Sequence, residues 1–298
     1  MIMENDYHIY LQRLRQSPRT IKSYSQYIEK LQSWCESKSI ETENISYKEL
    51  MKYVAQLKPN HQTNTINLHL TAIRHYFNHL IEKGYLTENI AEGLMVRGET
   101  KKVLQNLLDG DELEDLYYSY ETTSLKPNFY FKATAKRNKI IVGLLVYQGL
   151  VSNNFLRIKV EDVNLSRGTI YIARTRRNAS RKIPLKPWQI MQLKEYIKET
   201  LPIIQKHIGV YDDKLFPLNT EQFNVLLFPI FKKLKTYNRK VTNNNGIRAS
   251  VIVNWLKKYN IREVQELAGH RHICSTESYK QDDLENLQKV VENFHPIS

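Results

Sequence analysis

Two cysteines in 298 residues, Cys35 and Cys274, stand far apart in the chain. Such a pair cannot supply the bridges that staple a small secreted domain, so both read as reduced thiols and the core has to come from packing. Long apolar runs are missing as well. The longest, such as "IIVGLLVY" from Ile140 to Tyr147, fall far short of the ~20 residues that span a bilayer. The charged N-terminal stretch "MIMENDYHIY" does not read as a signal peptide, and the two absences together predict a cytoplasmic protein. Acidic side chains are also in short supply, 31 against 44 Lys and Arg, for a formal net charge of +13. That balance draws a protein towards phosphate backbones or other anionic surfaces.

What is present is globular. Apolar residues make up 41% and charged residues 25% of a chain long enough for two domains. Up to about residue 93 the pattern is helical throughout. A first helix is expected over "YHIYLQRLR". Ser17-Pro18 then pairs an N-cap with proline at the first helical position, and Ile21, Tyr24, Ile28, Leu31 and Trp34 follow at helical spacing. Ser46 caps a third segment striped by Leu50, Met51, Val54 and Leu57. A fourth, from about His61, carries Ile66, Leu70, Ile73, Phe77 and Leu80 before Gly84 stops it. These four predict an independent bundle over residues 1–93. His69, His75 and His79 fall inside it and read as surface or satisfied core groups.

Two glycines, a charge cluster and no period mark "GLMVRGETKK" as interdomain, with the linker over 94–104 and a second domain over 105–298. Here the pattern is mixed. "KIIVGLLVYQGL" reads as a buried helix, and "GTIYIARTRRNASRKIPL" as two β-runs around a polar turn, a hairpin. Pro187 then opens another helix, and helices dominate to the end. The expected class is mainly α with a small β-hairpin or sheet (α+β). Charge is shared unequally: residues 1–100 hold 12 basic and 11 acidic side chains, so 32 and 20 fall on residues 101–298. The basic face belongs mainly to the second domain, while Arg19 and Lys22 represent a local basic cluster on the first.

The densest chemistry is the stretch "AGHRHICSTESY", residues 268–279. On an extended strand His270, His272 and Cys274 would share a face and could ligate zinc, but a structural site wants four ligands and no further His or Cys cluster accompanies them. No metal is expected. A covalent reading asks for a nucleophile with cations around an anionic transition state. Upstream, "NNNGIRASVIVNWLKKYNIREVQELAGH" places Arg248 at the head of one helix and His270 just after a second. Tyr279 follows nine residues on. An Arg, a His and a Tyr converging in a basic domain suit attack of a phenol on a phosphodiester, with Arg and His on the nonbridging oxygens.

The segment "NGIRAS…VQELAGHRHICSTESYKQ" resembles the C-terminal signature of the tyrosine recombinases, the phage integrase family, in which His-x-x-Arg is followed by Leu-Gly-His and the nucleophilic Tyr. The helical bundle is similar to that family's SAM-like core-binding domain. The resemblance implies a DNA breaking and rejoining enzyme that passes through a 3′-phosphotyrosine and needs neither metal nor other cofactor. It also implies double-stranded DNA as partner, a homotetramer on paired sites, two domains gripping opposite sides of the duplex, and a nucleoid-associated life in the cytoplasm.

Carried over residue by residue, Tyr279 matches the nucleophile, Arg248 the second arginine and His270 the Leu-Gly-His histidine. Asn245 stands where the family usually has His, and Arg176 where a catalytic Lys usually stands in the hairpin. An amide donates but cannot shuttle a proton, and a guanidinium is a poor proton donor. "GLVSNNFLRIKVEDV" resembles the Gly-Leu-Arg-x-x-Glu box, with Val151 at the arginine and Asn154 at the acidic partner. Arg157, Arg137 and Lys139 are the candidates for a replacement cation, and Arg174, Arg177 or Lys182 could take the hairpin role. Arg19, Lys22, Arg174, Arg177 and Arg157 are the expected DNA contacts. The closing stretch, with Leu284, Leu287, Val290, Val291 and Phe294 on one side, reads as a helix docking on a neighbouring subunit or on its own domain. Two further readings stay open: a recombinase-derived DNA-binding protein with weak or lost catalysis, and a topoisomerase-like relaxing enzyme.

Overall fold

The computed structural model describes residues 2–98, 106–122, 128–175 and 178–280. The chain divides into two compact units, Met1–Lys101 and Lys102–Ser298, whose apolar cores have no residue in common.

The first unit is helical. Helices α1 (Ile2–Arg13), α2 (Pro18–Glu36), α3 (Tyr47–Leu57) and α4 (Thr63–Glu82) form it. The first helix ends earlier than its periodicity suggests, because the chain turns at Arg15 with φ +54°. Ser17 accepts from the backbone of Thr20 to cap α2, and Ser46 with Glu49 closes a reciprocal capping box on α3. The core is unusually phenolic: Tyr7, Tyr10, Tyr24, Tyr53 and Tyr76 are buried, and the Tyr7 hydroxyl donates to the Ala72 carbonyl at 3.0 Å. His69 and His79 are buried among them. Two of the three bundle histidines are not fully satisfied as the sequence suggested, since His69 Nε2 and His75 Nδ1 lack partners among the described residues. Residues 94–98 of the expected linker are docked on α4, where the Asn67 amide both donates to and accepts from the backbone of Val96.

The second unit is mixed. It contains α5 (Gly110–Ser119), α6 (Phe129–Gln148), α7 (Ser152–Phe155), β1 (Val163–Asn164), β2 (Thr169–Ile172), β3 (Arg181–Pro184) and α8 (Pro187–Glu195). A π-type turn over Tyr196–Thr200 leads to α9 (Leu201–Ile208), followed by α10 (Thr220–Tyr237), α11 (Asn244–Leu256), α12 (Ile261–Ala268) and α13 (Cys274–Glu277). The expected buried helix is α6. It starts at Phe129, capped by Asn128, and stops where Gly149 takes φ +57°. Ile141, Val142, Leu144 and Leu145 are fully buried at its centre, where α5, α9 and α11 pack round it. No helix among the described residues is long and apolar enough to cross a membrane.

The hairpin is real and gains a third strand. β1, β2 and β3 are antiparallel in that order, with Ile170 opposite Ile183 and Ile172 opposite Arg181. Alternation along β3 buries Arg181 and Ile183 and exposes Lys182 and Pro184. The backbone of the hairpin is tied to the segment after α12: Ala179 N–H donates to Gly269 O at 2.9 Å, and Asn178 bridges to His270. That tie sets the far end of β3 against the histidine loop. The closing helix expected over 280–296 lies outside the described residues.

Candidate active site

Arg248 sits one turn into α11, on the face that also buries Ile247, Val251 and Ile252. Only 8% of it is exposed. Its Nη1 donates to Gly149 O at 2.8 Å and its Nη2 to Ala268 O at 2.7 Å. The guanidinium thus stitches the end of α6 to the end of α12 and is held in one orientation. Burial pushes its pKa down, and the neighbouring Tyr279 phenol works the other way.

His270 follows Gly269, which ends α12 with φ +71°. Its Nε2 lies 3.4 Å from Arg248 Nη2 and its Nδ1 2.9 Å from Thr276 Oγ1. A guanidinium has no acceptor, so the nitrogen that faces it must offer its lone pair; the ring proton then sits on Nδ1 and donates to Thr276. Thr276 is fully buried on α13. The same short helix brings Tyr279 back over the histidine: the two rings are stacked, 5.9 Å between centroids and 11° between planes. Tyr279 also packs against the small cluster of Ile252, Val264 and Ala268.

Thus the structure brings together Arg248, His270 and Tyr279. Asn245 lies on the same helix as Arg248, three residues before it, and is exposed. Arg176 and Arg177 lie outside the described residues. Arg174 and Arg157 are exposed neighbours, Arg157 Nη1 donating to the Arg174 carbonyl at 3.4 Å. Arg19 and Lys22 are exposed on α2 of the first unit. His272 and Cys274 are exposed; no group of three or more potential metal ligands occurs among the described residues.

Around Val151 the local bonding is within the backbone turn. Asn154, 2% exposed, turns its Oδ1 back to accept from the Val151 backbone N–H at 3.0 Å. The amide caps α7. The expected replacement cations have other partners. Arg137 is buried and donates to the Asn138 side-chain oxygen through Nε and Nη2. Lys139 donates to the Tyr120 carbonyl at 2.7 Å and to that of Tyr117. Arg157 points to the hairpin surface.

Two further residues belong to the site, Thr276 and Arg181. Thr276 gives no sequence signal beyond its place between the histidine and the tyrosine. Arg181 does give one: strand alternation puts it on the side of Ile183, facing inward. It is 4% exposed, and none of its three guanidinium nitrogens has a partner among the described residues. A Cβ on Gly269 would lie 2.5 Å from its Nη1. Burial, followed by the charge of Arg248, pushes its pKa down to about 9, so it remains a cation at neutral pH.

Residues 106–286 match the phage integrase family, and residues 5–84 match its N-terminal SAM-like domain. Among curated relatives, the tyrosine recombinase XerA of Thermococcus kodakarensis is 25% identical over 303 residues, covering 96% of this chain and 93% of the relative. XerD of Staphylococcus epidermidis is 25% identical over 275 residues, covering 84% and 90%. Among solved structures, the XerH site-specific recombinase bound to a palindromic difH substrate, a post-cleavage complex, superposes with a TM-score of 0.70 at 19% identity, covering 91% and 78%. The Tn1549 transposon integrase in complex with transposon right-end DNA gives 0.60 at 14%, covering 95% and 99%. These likenesses in structure speak for the fold.

Proposed function

The chain belongs to the phage integrase family, and from that premise we propose that it is a site-specific DNA recombinase that cleaves and rejoins strands through Tyr279. The observation that carries the reading is the convergence of three side chains from α11, the α12 terminus and the segment after α13: a fixed guanidinium, an ordered imidazole and a phenol stacked on it.

The phenol oxygen attacks the scissile phosphorus as its proton is lost, the bond to the 5′-oxygen breaks, and that oxygen leaves as a hydroxyl after gaining a proton. The product is a 3′-phosphotyrosine, and the bond energy stored there lets a 5′-hydroxyl from the partner duplex reverse the step. Arg248 grips the nonbridging oxygens, where charge accumulates in the transition state, and His270 joins it once a proton taken up on Nε2 turns that nitrogen from acceptor to donor. Arg248 needs no reorganisation for this because two carbonyls already hold it. Arg176 supplies charge at the hairpin position and Asn245 a hydrogen bond. Arg19 and Lys22 on the first unit, and Arg157, Arg174 and Arg177 around the hairpin, contact the DNA backbone. Residues 1–93 form the core-binding domain, 94–104 the linker and 105–298 the catalytic domain. The assembly is a tetramer on paired sites, and double-stranded DNA as substrate goes with a nucleoid-associated location.

A second reading, a DNA-binding protein with weak or lost catalysis, is favoured by one observation: Asn154 is committed to the Val151 backbone and no arginine stands between them. A nicked suicide duplex separates the two. The duplex is built on a sequence that the protein enriches from a randomised pool, and trapping of a covalent complex that Tyr279→Phe cannot form supports the recombinase. Specific binding without any covalent complex supports the second reading.

A further inference from the structure

We infer that Arg181 is a second phosphate-gripping cation of this site and does from β3 what an arginine at Val151 would have done from the start of α7. The inference rests on the proposed phosphotransfer at Tyr279 and goes beyond it, because neither the family signature nor the tract of basic residues in the hairpin singles out this side chain.

An isolated buried cation is among the costliest groups a fold can hold, and it is ordinarily paired with a carboxylate or with several acceptors. Arg181 has neither. It is 4% exposed, with Nε, Nη1 and Nη2 all lacking a partner among the described residues. The charged group bearing on it is another cation, Arg248. Among the described residues no carboxylate bears on Arg248 either. Two like charges are therefore buried close together with no counter-ion among the described residues. Such an arrangement is coherent only around an anion that arrives from outside.

The surroundings are shaped for it. Arg248 Nη2 is bound to the carbonyl of Ala268, and the Arg181 guanidinium lies against Gly269, the next residue, where any side chain would collide with its Nη1, Cδ and Cζ. The two guanidiniums flank one dipeptide, immediately before His270. Main-chain bonding of Ala179 to Gly269 and the bridge from Asn178 to His270 hold β3 in that place. The pairing of Ile172 with Arg181 sets which side chain of β3 faces the loop. A phosphate is the anion that fits, because the planar forks of two arginines can each take a nonbridging oxygen in two parallel bonds.

Arg181→Met on the full chain provides the test, by two measurements. The first is the melting temperature in sodium phosphate against sodium chloride of equal ionic strength. The wild type is expected to gain more from phosphate than from chloride. The Met variant is expected to melt higher than wild type in chloride, since an unpaired charge has been removed, and to lose most of the phosphate increment. The second is adduct formation on the nicked duplex. Arg181→Met is expected to slow it by 10²–10³, the usual loss when one transition-state donor is removed, while weakening DNA binding less than about tenfold. Arg181→Lys, which keeps the charge and serves if the apolar variant does not fold, is expected to recover part of that loss. An unchanged phosphate increment, or adduct formation at the wild-type rate in a wild type that does form it, overturns the assignment. If the wild type forms no adduct at all, the recombinase reading fails, and the phosphate increment alone then decides whether Arg181 holds an anion.

Discussion

The imidazole of His270 and the phenol of Tyr279 lie nearly parallel, 11° apart, with their centroids separated by 5.9 Å. Thr276, buried one turn before Tyr279, holds the imidazole through Nδ1 at 2.9 Å. Thr276, whose carbonyl also accepts from the Tyr279 backbone N–H at 3.1 Å, is thus a positioning residue for both rings. Thr276→Val, of equal shape, is expected to slow adduct formation by about tenfold, on the scale of other partners that orient an imidazole, and to shift the pH profile of the rate. Thr276→Ser should restore both. A Val variant with an unaltered rate and pH profile would show that stacking alone orders the histidine.

Gly269 serves a second requirement, since its φ of +71° coincides with the close approach of Arg181. Gly269→Ala is expected to cost about 1–2 kcal/mol for the left-handed backbone, read as a lower midpoint in urea. It should also displace the guanidinium and reduce adduct formation further than the stability loss explains. Equal activity per folded molecule would contradict the crowding argument.

At Val151 the account predicts a conditional effect. Val151→Arg introduced alone should do little, because a third cation joins two that are already buried. Introduced together with Arg181→Met it should recover much of the lost cleavage rate, because one cation then replaces another. The double-mutant cycle measures this directly. Additive losses would mean that the two positions do not share a task.

The first unit has its own pH dependence. His69 is fully buried, its ring stacked on Tyr27 at 3.9 Å and its Nδ1 3.4 Å from the Tyr53 hydroxyl. Burial first, then Lys30 and His61, pushes its pKa down to about 4. In the unfolded chain it takes up a proton near pH 6.5. The folded form resists protonation, so stability is full above about pH 6.5 and is lost as pH falls towards 4, by at most roughly 3 kcal/mol from this group. Comparing wild type with His69→Phe in urea from pH 7 to pH 4 isolates the contribution. A difference between the two that does not change with pH would refute it.

Much of this was legible in the sequence. The stripe Ile21, Tyr24, Ile28, Leu31 and Trp34 marked α2, and the spacing from Arg248 through His270 to Tyr279 foretold a convergence that the fold makes. Strand β1 escaped notice because two residues carry no period. Asn154 could be read only as a missing charge; that its amide would turn back on Val151 depends on local backbone geometry. Arg181 was hidden differently. It stands in a run of basic residues that reads as a solvated, DNA-facing turn, and its burial shows only when the alternation with Ile183 is followed into the core. The unsatisfied histidines of the bundle escaped for a related reason: periodicity says which face is inward, and cannot say whether a polar atom there finds a partner.

The central claim is that Tyr279 becomes covalently joined to DNA. Its most direct test is mass spectrometry of the complex trapped on a nicked duplex, after digestion with nuclease and trypsin. Cleavage after Arg271 and Lys280 isolates residues 272–280, in which Tyr279 is the sole tyrosine. The account predicts that this peptide carries a nucleotide through its 3′-phosphate, with the mass located on Tyr279. A nucleotide on any other residue, or a wild-type protein that binds its site and yields no nucleotidyl peptide, would contradict it.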